Sequence, residues 1–144
     1  MKKTLAVTAL CSLTAIACGG SDQEAMPDDV MPVHSVQIVE PAEGSTIQGP
    51  VVTVRLQTDV PIAIAGDMTP GTGHHHIFLN MDMSAAGEPI PSVPGAIVHM
   101  GDGSSEFTFD AVPAGPHRLI TVVADGAHVP LQPLVVDTVN FIVE

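Results

Sequence analysis

The chain has 144 residues, of which 45% are hydrophobic and 14% charged, and its formal net charge at pH 7 is −12. Four basic residues against sixteen acidic ones cannot neutralise a phosphate backbone, which argues against a nucleic-acid-binding protein. The absence of Trp and Tyr removes the aromatic platforms that base stacking and sugar recognition commonly use, so the seven histidines are the main chemical resource of the chain.

Residues 1–17 have the pattern of a bacterial signal peptide. Lys2 and Lys3 form a positive start, an uncharged and mostly apolar run follows, and residues 15–17 are the small residues of a cleavage site. The run is shorter than the ~20 residues that a membrane-spanning helix needs. Export therefore leaves Arg55 and Arg118 as the basic residues of the mature chain, with a net charge of −14.

Cys18 follows this cleavage site in a context that resembles the lipobox of bacterial lipoproteins, although Ala15 stands where that pattern usually has Leu. We expect Cys18 to be lipidated and to attach the chain to a membrane; ordinary secretion with a free Cys18 is the alternative. Gly19 after the cysteine favours the periplasmic face of the outer membrane within the cell envelope. No motif specifies a protein partner.

Residues 18–33 are rich in Asp, Gly, Ser and Pro and predict a flexible acidic tether. From residue 34 to residue 144 the chain consists of short β-branched runs separated by Pro and Gly, and no helical period is sustained. This pattern predicts an all-β domain, an immunoglobulin-like antiparallel β-sandwich. The candidate strands are residues 35–39, 51–58, 75–80, 106–110, 118–124 and 138–143, with weaker ones at 62–65 and 96–99, and residues 81–95 are a predicted long loop.

Three consecutive histidines open the third of the stronger candidate strands. Because side chains alternate along a strand, His74 and His76 share one face, whereas His75 lies on the other. A His-x-His pair offers two neutral imidazoles that suit Zn or Cu, and His99, His117 and His128 are available to complete the shell.

Structural roles compete with this hypothesis. His117 follows a Pro-Ala-Gly-Pro turn, where sandwiches often place a corner residue that ties the loop to the strand, and this role is favoured for it. His128 can pin a turn in the same way. Met81, Met83 and Met100 lie near the histidines in sequence, and their thioethers together with imidazole would suit Cu(I). Such methionines more often fill an apolar core than bind a metal.

The segments TGHHHIFLN, HMGDGSSEFTFD and VPAGPHRLITVVADGAHVPLQPLVVD resemble the bacterial exported family named domain of unknown function 4399. The resemblance extends from residue 38 to the C-terminus and implies an exported β-domain without an established activity. On the family's histidine positions fall His74, His75, His76, His99, His117 and His128. Met100 replaces the aromatic residue of the family's turn, and Asp102 interrupts its glycine run.

The sequence therefore predicts a cell-envelope lipoprotein whose histidine-rich β-sandwich binds a transition metal, Zn or Cu, at these six histidines. Enzyme signatures are absent: there is no Gly-x-Ser-x-Gly elbow, no His-Glu-x-x-His motif and no phosphate-binding glycine loop. The alternatives are a non-catalytic adhesive or scaffolding module with structural histidines and, with less support, a small redox metalloenzyme.

Overall fold

The computed structural model describes residues 33–144, which form eight strands. The predicted signal peptide, the lipidation site Cys18 and nearly all of the predicted tether lie outside the described residues. Within the described part of the chain, no helix is long and apolar enough to cross a bilayer. The strands are β1 (Val36–Glu40), β2 (Thr46–Ile47), β3 (Val52–Thr58), β4 (His74–Leu79), β5 (Ile97–His99), β6 (Glu106–Phe109), β7 (Gly115–Ala124) and β8 (Val136–Val143).

The strands form two sheets that pack as a sandwich. One has the order β1-β3-β6 and the other β2-β8-β7-β4-β5. All neighbouring strands are antiparallel except the short β2, which runs parallel to β8. The predicted all-β, immunoglobulin-like sandwich is confirmed.

The strand predictions hold to within a few residues for β1 and for β3 to β8, and residues 81–95 form the predicted loop. The weak candidate at 62–65 is wrong, because Ile62 makes a single bridge with Gly73 and the amide of Ala65 donates to the carbonyl of Gly101 instead of to a strand. Strand β2 was not predicted, because its two residues are too few to show a period.

The inner faces of the two sheets enclose the main apolar core. Val52, Val54 and Leu56 on β3 meet Leu119 of β7 and Phe141 of β8 there. These side chains occupy alternate positions of their strands, as expected where one face of a strand is buried in a core.

The five-stranded sheet is also covered on part of its outer face. Phe78 of β4, Ile97 of β5 and Ile120 of β7 form a second cluster with Ile90, which the loop between β4 and β5 contributes. Strand β4 is consequently buried on both faces along most of its length, which explains its continuous rather than alternating burial. The histidines on its outer face are therefore shielded from water by chain segments rather than by the second sheet.

Candidate metal centre

His74, His75 and His76 are all buried, with 0%, 1% and 0% of their surface exposed. Strand alternation sends His74 and His76 to the outer face of the sheet, together with Phe78, and His75 to the inner face. The residue before β4 must be glycine, because a Cβ on Gly73 would lie 2.6 Å from the carbonyl oxygen of Ala124 at the end of β7.

The register of the sheet adds a third histidine to the buried pair. His99 at the end of β5 pairs directly with His76 of β4, and their ring centroids are 4.7 Å apart in an edge-to-face arrangement. Directly paired residues in an antiparallel sheet share one face. His99 therefore lies on the outer face although it is remote from β4 in sequence.

The turn after β7 adds the fourth histidine. Ala124 at the end of β7 pairs with His74, so the following turn lies beside the start of β4. Asp125 shapes this turn, because its Oδ1 accepts hydrogen bonds from the amides of Ala127 and Val129, at 2.9 and 3.0 Å. His128 has a φ of 64°, a left-handed conformation that His tolerates better than most side chains.

Three imidazole nitrogens converge on Nδ1 of His128. The distances from this atom are 3.2 Å to Nε2 of His74, 3.1 Å to Nε2 of His76 and 3.1 Å to Nδ1 of His99. The ligand atoms of His74, His76 and His128 all lie within 4.8 Å of one another. Nε2 of His74, Nε2 of His76 and Nδ1 of His99 therefore all face Nδ1 of His128.

These three contacts cannot all be hydrogen bonds. An imidazole nitrogen carries either one hydrogen or one lone pair in the ring plane, so Nδ1 of His128 has the capacity for a single bond. A metal ion bound among these nitrogens would instead accept a lone pair from each ring. With metal–nitrogen bonds of 2.0–2.1 Å, tetrahedral ligand nitrogens are separated by roughly 3.3 Å, close to the three distances observed from Nδ1 of His128.

Burial keeps the two strand histidines neutral. It lowers the pKa of His76 to about 2, helped by the electrostatic repulsion that a proton on His76 would meet from the rings of His74, His99 and His128. Burial also lowers the pKa of His74, with smaller effects of His128 and His99 in the same direction. Because a metal needs the unprotonated ring, both residues are in the protonation state of a ligand.

The other nitrogen of each ring helps to define which atom is free to bind. Nε2 of His99 donates a hydrogen bond to the carbonyl of Pro91 at 3.1 Å, which leaves its Nδ1 as a lone pair facing His128. The Nδ1 atoms of His74 and His76 are buried without a hydrogen-bond partner among residues 33–144. With Nε2 of each ring as the ligand, this second nitrogen carries the hydrogen.

The sequence profile of a family described as "Domain of unknown function (DUF4399)" matches residues 52–144, which include all four converging histidines. The chain belongs to the DUF4399 family. The resemblance noted from the histidine motifs is thereby confirmed. No curated protein matches the chain.

Two solved structures have a limited similarity to this chain. One is an engineered protein, at 12% identity and a TM-score of 0.42 over 78% of this chain. The other is an endo-beta-1,4-mannanase from Thermotoga petrophila, at 14% identity and a TM-score of 0.46 over 81% of this chain. The chain spans about a fifth of the length of each, 20% and 21%.

Of the six histidines predicted as metal ligands, the structure places His75 and His117 apart from His74, His76, His99 and His128. His75 lies on the inner face of the sheet opposite Val123, and burial lowers its pKa to about 4. Both ring nitrogens of His117 are engaged: Nε2 donates to the carbonyl of Pro113 at 2.7 Å, and Nδ1 accepts from the Asn80 amide at 2.9 Å. His117 thus ties a corner to its strand, the structural role that the sequence favoured.

The methionines that suggested a Cu(I) site are dispersed. Met100 packs in the core between the sheets, on the side opposite the four histidines, and is 3% exposed. Met83 packs against the outer apolar cluster, and Met81 is 36% exposed. The side chains shown to converge are imidazoles, which are borderline ligands for Zn or Cu.

The groups that hold His99 and His128 in place were not predicted from the sequence. The carbonyl of Pro91 contacts the ring of His99, and the amide of Ile90 donates to the backbone carbonyl of His128 at 2.9 Å. Both are backbone groups of the long loop, so no side-chain motif could have shown them. The Asp125-Gly126 turn signal was visible, but its link to the site depends on the register of β4 and β7.

Proposed function

We propose that this domain binds a divalent transition metal, zinc or copper, through His74, His76, His99 and His128. The observation that carries the proposal is the convergence of three imidazole nitrogens at 3.1–3.2 Å on Nδ1 of His128. Imidazole nitrogen donors suit both metals, and the order of intrinsic affinities favours copper when both are available.

The chemistry of this site is that of storage, delivery or stabilisation. His74 and His76 are fully buried, so the ion would sit beneath the outer surface of the sheet, whereas His99 and His128 are half-buried and would border its path of entry. A buried metal can also hold together β4, β5 and the turn after β7, which supply its ligands. Metal binding of this kind contributes to the free energy of folding.

The location that we propose is the cell envelope, with a lipid anchor on Cys18 facing the periplasm from the outer membrane. It is supported by the basic start, the apolar run and the small residues before Cys18, with Gly19 after it. The acidic character of the mature chain disfavours direct contact with anionic lipid, so the anchor would supply the membrane attachment.

Metal binding is tested with the untagged protein as the cell processes it, solubilised in detergent. After equilibrium dialysis against zinc or copper, elemental analysis should find about one equivalent, and the melting temperature should rise by mass action. His74→Ala and His76→Ala should each abolish binding. His34→Ala is the matched control, because His34 lies near Asp59, 3.5 Å from its carboxylate, and should bind metal like the wild type.

Retention of less than about a tenth of an equivalent, without a rise in melting temperature, would contradict the proposal. The histidines would then have structural roles, as expected for an adhesive or scaffolding module. Loss of binding in His34→Ala but not in His74→Ala would contradict the site assignment while leaving metal binding itself in place.

A further inference from the structure

The long loop between β4 and β5 contacts both of the half-buried histidines through two consecutive residues. The amide of Ile90 donates to the carbonyl of His128 at 2.9 Å, and the carbonyl of Pro91 accepts from Nε2 of His99 at 3.1 Å. His99 and His128 lie in different parts of the chain. The Ile90–Pro91 peptide segment therefore joins two sides of the proposed metal site.

Ile90 is the buried side chain of residues 88–92, and Met83 and Val93 of the same loop are partly buried against the same apolar cluster. Ile90 is 5% exposed and packs against Phe78, Ile97 and Ile120, whereas its neighbours 88, 89, 91 and 92 are exposed. Removal of the Ile90 side chain would take away the buried apolar contact nearest to the two backbone groups. The positions of the two backbone groups that reach the histidines therefore depend on the burial of Ile90.

The carbonyl of Pro91 also selects the tautomer of His99. A carbonyl can only accept, so the contact requires the hydrogen on Nε2 and leaves the lone pair on Nδ1, the atom that points at the other three rings. In the opposite tautomer Nδ1 would carry hydrogen and could not bind a metal. Carbonyl partners of this kind orient metal-bound histidines and raise their affinity for the ion.

We propose that Ile90 is a positioning residue for the metal site, and that metal binding in turn holds the loop of residues 80–96 against the sheet. The inference rests on the proposed function, because it assigns a role through His99 and His128. Since coupling between two equilibria is reciprocal, whatever aligns the two histidines for metal must also be stabilised when metal binds.

The first test compares Ile90→Ala with Val135→Ala, using zinc as the probe. Both variants truncate a buried aliphatic side chain, but Val135 is 2% exposed in a separate cluster with Val36 and Val60. Both should lower the melting temperature of the metal-free protein. Ile90→Ala should also weaken zinc binding at least about tenfold, whereas Val135→Ala should stay near the wild-type affinity. Ile90→Val should restore most of the lost affinity.

The second test measures the loop directly. Nitrogen chemical shifts of the His99 ring should show the Nε2–H tautomer in the metal-free wild type and a mixture of both tautomers in Ile90→Ala. Zinc should slow hydrogen exchange of the Ile90 amide about tenfold more than that of the Val112 amide, which is bonded to Pro50 far along the chain. A general gain in stability would slow both amides alike.

The inference is overturned if Ile90→Ala binds zinc as Val135→Ala does, or if zinc slows exchange of the two amides equally. Either result would leave the proposed metal site in place. Failure of the wild-type protein to bind zinc or copper is a different outcome, which would overturn the proposed function and, with it, the role of Ile90.

Discussion

Replacing His75 by Leu should make the stability of the metal-free protein less sensitive to acid. His75 is 1% exposed on the inner face of the five-stranded sheet, and its Nδ1 has no hydrogen-bond partner among the described residues. Burial, with a smaller effect of the charge of His74, lowers its pKa from 6.5 to about 4. Between pH 6.5 and about 4, His75 is therefore protonated in the unfolded chain but not in the folded protein.

The size of the effect follows from the difference between the two pKa values. Above pH 6.5 neither state is protonated at His75, and its contribution to stability is fully present. As the pH falls from 6.5 to about 4, the unfolded chain gains a proton that the folded state excludes, so stability is lost. One pKa unit corresponds to about 1.4 kcal/mol, so the loss reaches about 3 kcal/mol by pH 4 and does not grow further below it.

The assay is urea denaturation of the chelator-treated protein at several pH values between 7 and 4. Relative to the wild type, His75→Leu should lose about 3 kcal/mol less of its free energy of unfolding across this range. At pH 7 it should be at least as stable, because Leu removes a buried nitrogen without a partner. Ile77→Leu, on the same face of β4, is the control and should run parallel to the wild type.

Zinc binding should survive in His75→Leu, because the native His75 ring lies on the opposite face of β4 from His74 and His76. A stability profile of His75→Leu that runs parallel to the wild type would refute the assignment of His75 as a buried neutral residue. Loss of zinc binding would instead make His75 part of the metal site and would contradict the strand alternation.

Three further outcomes are expected. Asp125→Ala should lower zinc affinity about 10- to 100-fold in a competition titration, because it removes the carboxylate that shapes the turn of His128. Asp102→Ala is the control: it removes a similar turn contact, to the amide of Ser104, and should leave zinc affinity unchanged. Gly73→Ala should lower the free energy of unfolding by about 1–3 kcal/mol in urea, because its Cβ would collide with backbone, and an unchanged value would show that β4 can shift. Dialysis at stepwise lower pH should release zinc only below the ordinary imidazole range near ~6.5, because burial lowers the pKa of His74 and His76, and release already at neutral pH would contradict this account.

Much of the fold was predictable from the sequence because its signals are local. Runs of β-branched residues between Pro and Gly identified seven of the eight strands, and the loop of residues 81–95 was recognisable by the same contrast. The two-residue β2 carries no period, and the apolar residues 62–65 carry a misleading one. The backbone of both segments bonds to residues elsewhere in the chain. Strand β2 pairs with β8, and residues 62–65 bond to the glycines at 73 and 101.

The candidate site divides in the same way. The two-residue period of a strand placed His74 and His76 on one face and His75 on the other without knowledge of the fold. The sequence could not decide which of the remaining histidines joins them, because all three lie at strand ends or turns. The pairing of β4 with β5 and β7 decided that question, bringing His99 and the turn of His128 to the start of β4.

The sequence by itself determined the all-β class, the scarcity of basic and aromatic side chains and the histidine nature of the candidate ligands, since these follow from composition and local period. Only the tertiary structure decided that the rings of His74, His76 and His99 face His128, while His117 ties a corner to its strand and His75 lies in the core. The reason is physical: alternation acts between neighbouring residues, whereas convergence requires strand register and loop closure, which depend on the whole packed sheet.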